Sequence, residues 1–444
     1  MPELIHGMLP EIWEMLASSQ IYKEEQTATL RGAFAAPLSI DPTKKTIILS
    51  TPSRTGTSFF RLELPMYAIK RNFPDEFNLI YADGNLGPNH VKLADMIIFH
   101  RAGNIHDYLH KIFKLWPKTE KRPVIVHDVD DNEFNLPNSH PMKGMWLAAD
   151  KDKMSLRSLK ESDYVETTGF KLKQTFSNFN KNVHVFRNMF DWNMPMWKLE
   201  RDIKYNGKIV IGWVGLTSHF EDIKKMAPIM KYIHDKYPNT HFILSGMALK
   251  DTTISITNAP DGSPIMKEEE VKEESQTYRF RVKQLYKDFD QSRIEIIDAT
   301  SLEEYGKFYK DLDIGLAFVE RNTFSQCKSE IKAVEYMKYG AVSIYSKWGG
   351  YADMFNNLPD HLKQKNKDLA IDTENPIVWK ETLDNVISHF DKYKSIAQEM
   401  KLYVEDAYDI NKRANDRVEF YNKVIEQHTE RQTSSIAKYG VLAA

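Results

Sequence analysis

Lys208–Gly215 reads KIVIGWVG, an unbroken apolar run closed by glycine near the middle of a 444-residue chain. A continuous run of this kind, not an alternating one, is what a strand covered on both faces requires. Similar runs precede it: TIILS at Thr46–Ser50, FNLIY at Phe77–Tyr81, DMIIFH at Asp95–His100, PVIVH at Pro123–His127, DYVET at Asp163–Thr167 and VHVFR at Val183–Arg187. Others follow: THFILSG at Thr240–Gly246, RIEIID at Arg293–Asp298, LDIGLAF at Leu312–Phe318 and AVSIY at Ala341–Tyr345. Helical stretches such as Phe60–Lys70 and Asp107–Leu115 alternate with the strands, and that alternation predicts parallel, doubly wound sheets. Between the two series, Asn188–Tyr205 is irregular, rich in Met, Trp and Asn, and carries Pro195, so it reads as a linker. Lys208 therefore opens a second sheet instead of extending the first.

The expected organisation is an α/β chain with two Rossmann-like domains of similar size facing a central cleft. Residues 1–44 form an N-terminal extension with helical spacing over Leu4–Leu16. Residues 45–190 make the first domain, 191–206 the linker, 207–378 the second domain and 379–444 a C-terminal helical region. The second domain carries an insertion over 249–282. Its polar stretch Leu249–Glu274 contains Pro260, Gly262 and Pro264 and runs into KEEEVKEES, so it reads as a surface excursion. In open α/β sheets ligands sit beyond the carboxyl ends of the strands. Two such sheets face to face would hold one ligand each.

Composition excludes several function classes. Hydrophobic residues make up 42% and charged residues 27%, and 60 basic against 62 acidic side chains leave a net charge of -2. No overall positive field favours nucleic acid or an anionic membrane, although Lys171, Lys173, Lys181 and Arg187 form a local basic run. The single cysteine, Cys327, cannot form an internal disulfide. No run of 18 apolar residues predicts a spanning helix. The first residues, MPELIHGMLPEIWEML, lack a basic segment, so the expected location is the cytoplasm.

The chemistry concentrates in FSQCKSEIKAVEYMKYGAVSIYS, Phe324–Ser346. Lys328–Tyr339 lacks Gly and Pro and is predicted helical, ended by Gly340. At ~100° per residue, Lys328, Lys332 and Glu335 fall within about 60° of one another. Two lysines near a helix N-terminus suit a diphosphate, and a carboxylate further along suits the paired hydroxyls of a ribose. The competing reading is a solvated face with an ordinary Lys–Glu pair.

This stretch resembles the corresponding helix of two-Rossmann (GT-B) retaining glycosyltransferases of the family 4 type. The likeness is to a sub-branch that includes bacteriophage-encoded enzymes and reads roughly KS-x-x-K-x-x-E-Y-x-x-x-G-x-x-x-x-x-S. Here the matching residues are Lys328-Ser329, Lys332, Glu335-Tyr336, Gly340 and Ser346. The resemblance implies that Lys328 and Ser329 contact donor phosphates and Glu335 the ribose. Cys327 departs from it, standing where the family has a sugar-contacting glutamate. IVIGWVGLTSHFEDI, Ile209–Ile223, resembles the family's IGW-x-G-x-x-x-H-x-x-D opening and adds Gly212, Gly215, His219 and Asp222 to the donor side. TSLEEYGKFYKDLDIGLAFV, Thr300–Val319, resembles the helix and strand before the donor helix. Gly349-Gly350 fits a phosphate or sugar loop.

In the first domain, TPSRTGTSFFRLELP (Thr51–Pro65) resembles a family loop. Gly56 allows a tight turn and Arg61 is a candidate for acceptor or donor phosphate, against the reading of a surface ion pair. VIVHDVDDNEFNLP (Val124–Pro137) sets His127, Asp128, Asp130 and Asp131 at a strand end. Clustered carboxylates can hold a divalent metal or act on an acceptor hydroxyl. The resemblance implies the second use, with no metal and no cofactor required beyond the nucleotide diphosphate sugar. The implied activity is transfer of a hexosyl or pentosyl group to an acceptor hydroxyl, with retention of configuration. The acceptor is a glycan, or hydroxymethylated pyrimidine in phage DNA, with the host cytoplasm as the location in that case. A nucleotide-sugar epimerase and a non-catalytic nucleotide-sugar-binding protein are the alternatives.

Overall fold

A computed structural model describes residues 40–51, 56–81, 86, 88–101, 120–140, 143–247, 252–258, 264–270 and 277–439. The helices predicted at Leu4–Leu16 and Asp107–Leu115 lie outside the described residues.

The chain is α/β with two doubly wound parallel sheets. The first contains β1 (Lys45–Ser50), β2 (Phe77–Tyr81), β3 (Met96–His100), β4 (Val124–Val129), β5 (Tyr164–Thr167) and β6 (Val183–Val185) in the order β2-β1-β3-β4-β5-β6. The central strands β3 and β4 are buried along their whole length, which is why they read as continuous apolar runs. The second sheet contains β7 (Ile209–Val214), β8 (Thr240–Met247), β11 (Ile294–Asp298), β12 (Ile314–Ala317), β13 (Val342–Ser346) and β14 (Ala370–Ile371). Its order is β11-β8-β7-β12-β13-β14, with every pairing parallel. The order reverses between β1 and β3 in the first sheet and between β7 and β12 in the second, and each reversal opens a crevice at the carboxyl ends.

Three segments differ from the sequence reading. The insertion is folded: β9 (Thr252–Asn258) and β10 (Pro264–Glu270) pair antiparallel as a hairpin. A helix follows at Tyr278–Leu285, capped by Thr277. The alternation in TTISITN is a strand signal that the surrounding Pro, Gly and charge obscure. The linker is not a loose tether. Trp192, Met194, Met196, Trp197 and Tyr205 are buried in a core that runs through both domains. Trp192 stacks on Phe190 at 4.4 Å, Trp197 meets Phe190 edge-on at 5.3 Å, and Arg201 grips buried Asp313 through two 2.7 Å contacts. The C-terminal region divides between the domains. Helices Pro376–Ser388 and Phe390–Ala407 pack on the second, for example through Tyr232–Asp384 at 2.7 Å and Lys338–Glu405 at 2.6 Å. Helix Ile410–Tyr439 returns to the first, where Arg417 pairs with buried Glu166 at 2.9 Å and Gln432 accepts from the Arg122 amide at 3.0 Å.

The first domain is pinned by an ion pair at its centre. A helical run from Gly56 to Asn72, with a π-helical turn over Phe59–Glu63, carries Arg61 into the core. Arg61 and Asp128 are both 0% exposed. Arg61 Nε and Nη2 donate to the Asp128 carboxylate at 2.5–3.2 Å, and Nη1 donates to the Phe186 carbonyl at 2.6 Å and Asn188 Oδ1 at 3.2 Å. His100 Nδ1 adds a 2.8 Å hydrogen bond to Asp128. Burial pushes the Asp128 carboxyl upward, but the guanidinium and His100 hold it below its ordinary value. Removing one partner of such a pair leaves an uncompensated buried charge. Arg61→Ala is therefore expected to destabilise the protein by ~3–5 kcal/mol in urea unfolding. Replacing both partners by Met and Leu should recover most of that loss.

Candidate functional site in the interdomain crevice

The crevice of the second sheet is built from the segments that leave β7 and β12. After β7 the chain turns through Gly215, whose Cβ would stand 2.5 Å from the Trp213 ring, so only glycine fits there. Thr217–His219 forms a 3-10 turn into helix Phe220–Lys236, with His219 at its cap position. After β12, Val319–Lys328 forms the facing wall. Asp222 ties the two together: one carboxylate oxygen meets His219 Nδ1 at 2.6 Å and the other accepts the Glu320 amide at 2.8 Å. Pro137, Ser139 and His140 of the first domain close the third side of a pocket.

Burial, reinforced by the nearby Lys332 and Lys328 charges, lowers His219 to about 4. The ring is neutral at pH 7, and with Asp222 accepting from Nδ1, its Nε2 is the acceptor nitrogen. Lys332 stands beside it, 9% exposed, its ammonium 5.1 Å from the centre of the Trp213 ring. Its ammonium has no hydrogen-bond partner among the described residues, and burial lowers it to about 8. Lys328 holds Asp131 of the first domain at 2.9 and 3.0 Å and lies 4.5 Å from the Phe324 ring centre.

Lys328 does not share a helix with Lys332 and Glu335. The helix is Ile331–Lys338, with Glu330 as its cap residue, and Lys328 is extended (φ -66°, ψ 142°). The reason is the turn at Gly349-Gly350, which packs so closely that a Cβ at Gly349 would lie 2.2 Å from the Gln326 carbonyl oxygen and one at Gly350 2.5 Å from that of Lys328. Glu335 is 0% exposed, and both its oxygens are occupied, by Tyr305 at 2.9 Å and Tyr309 at 2.6 Å. Burial raises it to about 7. Ser329 accepts from Asn188 Nδ2 at 3.2 Å.

The first-domain candidates divide by strand alternation. His127 points to the face opposite Asp128, stacked on Phe99 at 4.7 Å and 0% exposed. Asp128 and Arg61 are consumed by each other, so neither presents a free group to the crevice. Gly56 begins a helical run, with no neighbour that a Cβ would meet, and its φ is not in the left-handed region, so no turn demands it. Asp130 and Asp131 do reach the crevice edge. Arg101 holds Asp130 at 3.0 and 3.1 Å from a left-handed backbone position (φ 61°). Beside them, buried Glu133 accepts from Ser155 at 2.5 Å and is raised to about 7 by burial. The sequence reading missed His100, Arg101, Glu133 and His140. The signal for two of them was present, since His100 ends the apolar run of β3 and Arg101 directly follows it.

No protein-family model matches the sequence, and no curated protein matches it. Solved structures do resemble the fold. A trehalose-6-phosphate synthase, OtsA, superposes with a TM-score of 0.54 at 11% identity, covering 86% of this chain and 99% of that one. The α,α-trehalose 6-phosphate synthase of Burkholderia multivorans gives 0.55 at 10% identity, covering 88% and 98%. A structure from E. coli bound with UDP-2-fluoro glucose gives 0.52 at 10% identity, covering 86% and 99%. At these identities the likeness is one of fold, the two-domain Rossmann-like arrangement known as GT-B.

Proposed function

We propose that the chain is a glycosyltransferase that takes its sugar from a nucleotide diphosphate donor bound in the second-sheet crevice. The observation that carries this reading is Lys332. An unpaired ammonium in a buried setting costs several kcal/mol, and a diphosphate is the ligand that would complete it. Lys328 offers a second cation on the same crevice, and His219 offers an acceptor at Nε2 for a donor hydroxyl. In this reading the departing diphosphate gathers charge as the glycosidic bond breaks, and the two fixed ammonium groups stabilise that charge. Asp131, which meets the crevice lysine Lys328, marks the acceptor side with Asp130 and buried Glu133 behind it, and a carboxylate there can take a proton from an attacking hydroxyl. Ser329 assists at the phosphates. Glu335 serves the ribose only if Tyr305 and Tyr309 yield their hydrogen bonds. Retention of configuration and an acceptor of glycan or modified-DNA type belong to this proposal on resemblance alone. The fold neighbours support a nucleotide-sugar enzyme, one of them being a complex with UDP-2-fluoro glucose. No metal or other cofactor is assigned a step.

Donor turnover with and without an acceptor separates a transferase from an epimerase and from a binding protein. For the site itself, calorimetry with a panel of nucleoside diphosphates should show Lys328→Ala and Lys332→Ala each weakening binding about tenfold or more. Unchanged affinity in both variants would sink the assignment.

The Lys332 ammonium also sets a pH dependence. Its free value is about 8 and a bound diphosphate raises it, so binding takes up a proton above pH 8. Affinity should be flat in this group's contribution below pH 8 and fall as pH rises through and beyond it. Lys332→Arg, charged throughout, should abolish that fall while keeping the binding.

Asp131 competes with the donor for Lys328. Asp131→Asn should therefore tighten nucleoside diphosphate binding severalfold, read in the same titration, even where it lowers transfer.

A further inference from the structure

A second cavity, of about 340 Å³, lies outside the crevice. One wall is the short helix Phe170–Phe176 with the end of β6, and the other is the start of helix Ile410–Tyr439. The size suits a small polar molecule, being within the range of ordinary ligand pockets and too small for a duplex. Its lining is strongly one-signed: Lys173, Arg187, Arg413 and Arg417 against a single carboxylate, Asp416.

The four cations are not equivalent. Arg417 is 6% exposed, paired with Glu166, and sits 4.2 Å over the Phe186 ring. Arg187 lies 5.9 Å from the ring of Phe170 and holds Glu330 at 3.4 Å. Lys173 and Arg413 are exposed and make no ion pair with any described residue. Two structural cations thus form the floor and two uncommitted ones the rim. The field they create is felt by His184 on the same wall. Burial lowers its ring to about 4, and Lys173 and Arg417 push it the same way. The ring of Phe170, 53% exposed, supplies an apolar face suited to a sugar or base. Lys173 and Arg187 belong to the local basic run visible in the sequence, which the proposed donor site does not use.

We propose that this cavity binds a phosphate-bearing small molecule, with Lys173 and Arg413 gripping the phosphate and Arg417 and Phe186 forming its seat. The molecule is either the anionic acceptor of the transfer or a free effector. The acceptor source rests on the transferase reading above; phosphate binding does not. Arg187 connects the cavity to the donor side, since it bonds Glu330, the residue that caps the helix carrying Lys332.

The test uses calorimetry on the full chain with inorganic phosphate, a hexose 6-phosphate and the unphosphorylated hexose. Wild type should bind the two phosphates and not the hexose. Lys173→Ala/Arg413→Ala should weaken that binding tenfold or more, with thermal midpoint and nucleoside diphosphate affinity unchanged, and Lys173→Arg/Arg413→Lys should restore it. Equal binding by the alanine variant, or no phosphate binding by wild type, overturns the proposal. So does a single-stranded oligonucleotide that binds more tightly than the hexose phosphate and loses binding in the alanine variant, because these cations would then serve nucleic acid. Adding nucleotide sugar distinguishes the sources: a glycosylated hexose phosphate by mass spectrometry marks an acceptor, and an unmodified one that shifts donor affinity marks an effector. Phosphate binding without any donor turnover would defeat the transferase reading alone.

Discussion

Four consecutive residues carry the seam between the two domains. Cys327 Sγ faces Asn132 Nδ2 at 3.6 Å, Lys328 holds Asp131, Ser329 accepts from Asn188, and Glu330 meets Arg187 and the Tyr408 hydroxyl. The same segment is pressed from behind by the Gly349-Gly350 turn, where Gly349 takes a left-handed backbone (φ 54°) that other residues rarely adopt. Clamped on both sides, the segment leaves the 3-10 turn Ser325–Cys327 and is extended at Lys328, so it does not join the helix that follows. The helix therefore begins at Ile331, and that start decides where Lys332 and Glu335 point. Placement of the crevice chemistry and attachment of the domains are one constraint.

Much of the fold was legible because parallel strands covered on both faces leave continuous apolar runs. Phe77–Tyr81 is the same five residues in sequence and structure, and the other predicted strands shift by one to a few residues at their ends. What was not legible depended on tertiary partners. Nothing local in LTSHFED or SRTGTSFFR distinguishes His219, which lines the crevice, from Arg61, which is sealed in the core. The difference lies in whether a carboxylate is waiting at the same depth, and Asp128 stands 67 positions away from Arg61. Helical periodicity likewise placed Lys328 on the face of Lys332, because the pattern contains no mark of a distant glycine pair that forbids the first turn. The return of Ile410–Tyr439 to the first domain was hidden for the same reason: its apolar stripe says that it packs, not on what.

Among the described residues, two kinds of charged side chain at depth contrast, and the contrast argues for function. Arg61 with Asp128, Arg201 with Asp313 and Arg417 with Glu166 are matched: each guanidinium meets a carboxylate and further acceptors, so desolvation is offset. They hold elements together. Lys332 is the opposite case: it is desolvated to a similar degree, it faces the Trp213 ring, and the Asp222 and Glu335 carboxylates attract it, but none of them hydrogen-bonds its ammonium. A sequence under selection for stability alone would replace such a lysine with an apolar residue of the same length, which would pack on Trp213 without the charge penalty. Retaining an ammonium there makes physical sense when an anion arrives to share the site.

The two anion-seeking regions are also mechanically joined. Arg187 forms part of the cavity lining with its guanidinium edge near Phe170, while its Nη1 reaches Glu330 and Tyr408 at 3.4 Å each. Those contacts are long, so Arg187 is not held firmly by either. An anion entering the cavity would draw the guanidinium toward itself and away from Glu330, whose carboxyl burial already raises. Glu330 would then lose its nearest cation, and the cap of the Lys332 helix would loosen from the first domain. Conversely, a donor that pulls Lys328 away from Asp131 shifts the same four-residue segment from its other end. By linkage, whatever one ligand does to the affinity of the second, the second must do equally to the first. The seam can therefore couple the two sites through a displacement of a few side chains, without any change in the packing of either sheet.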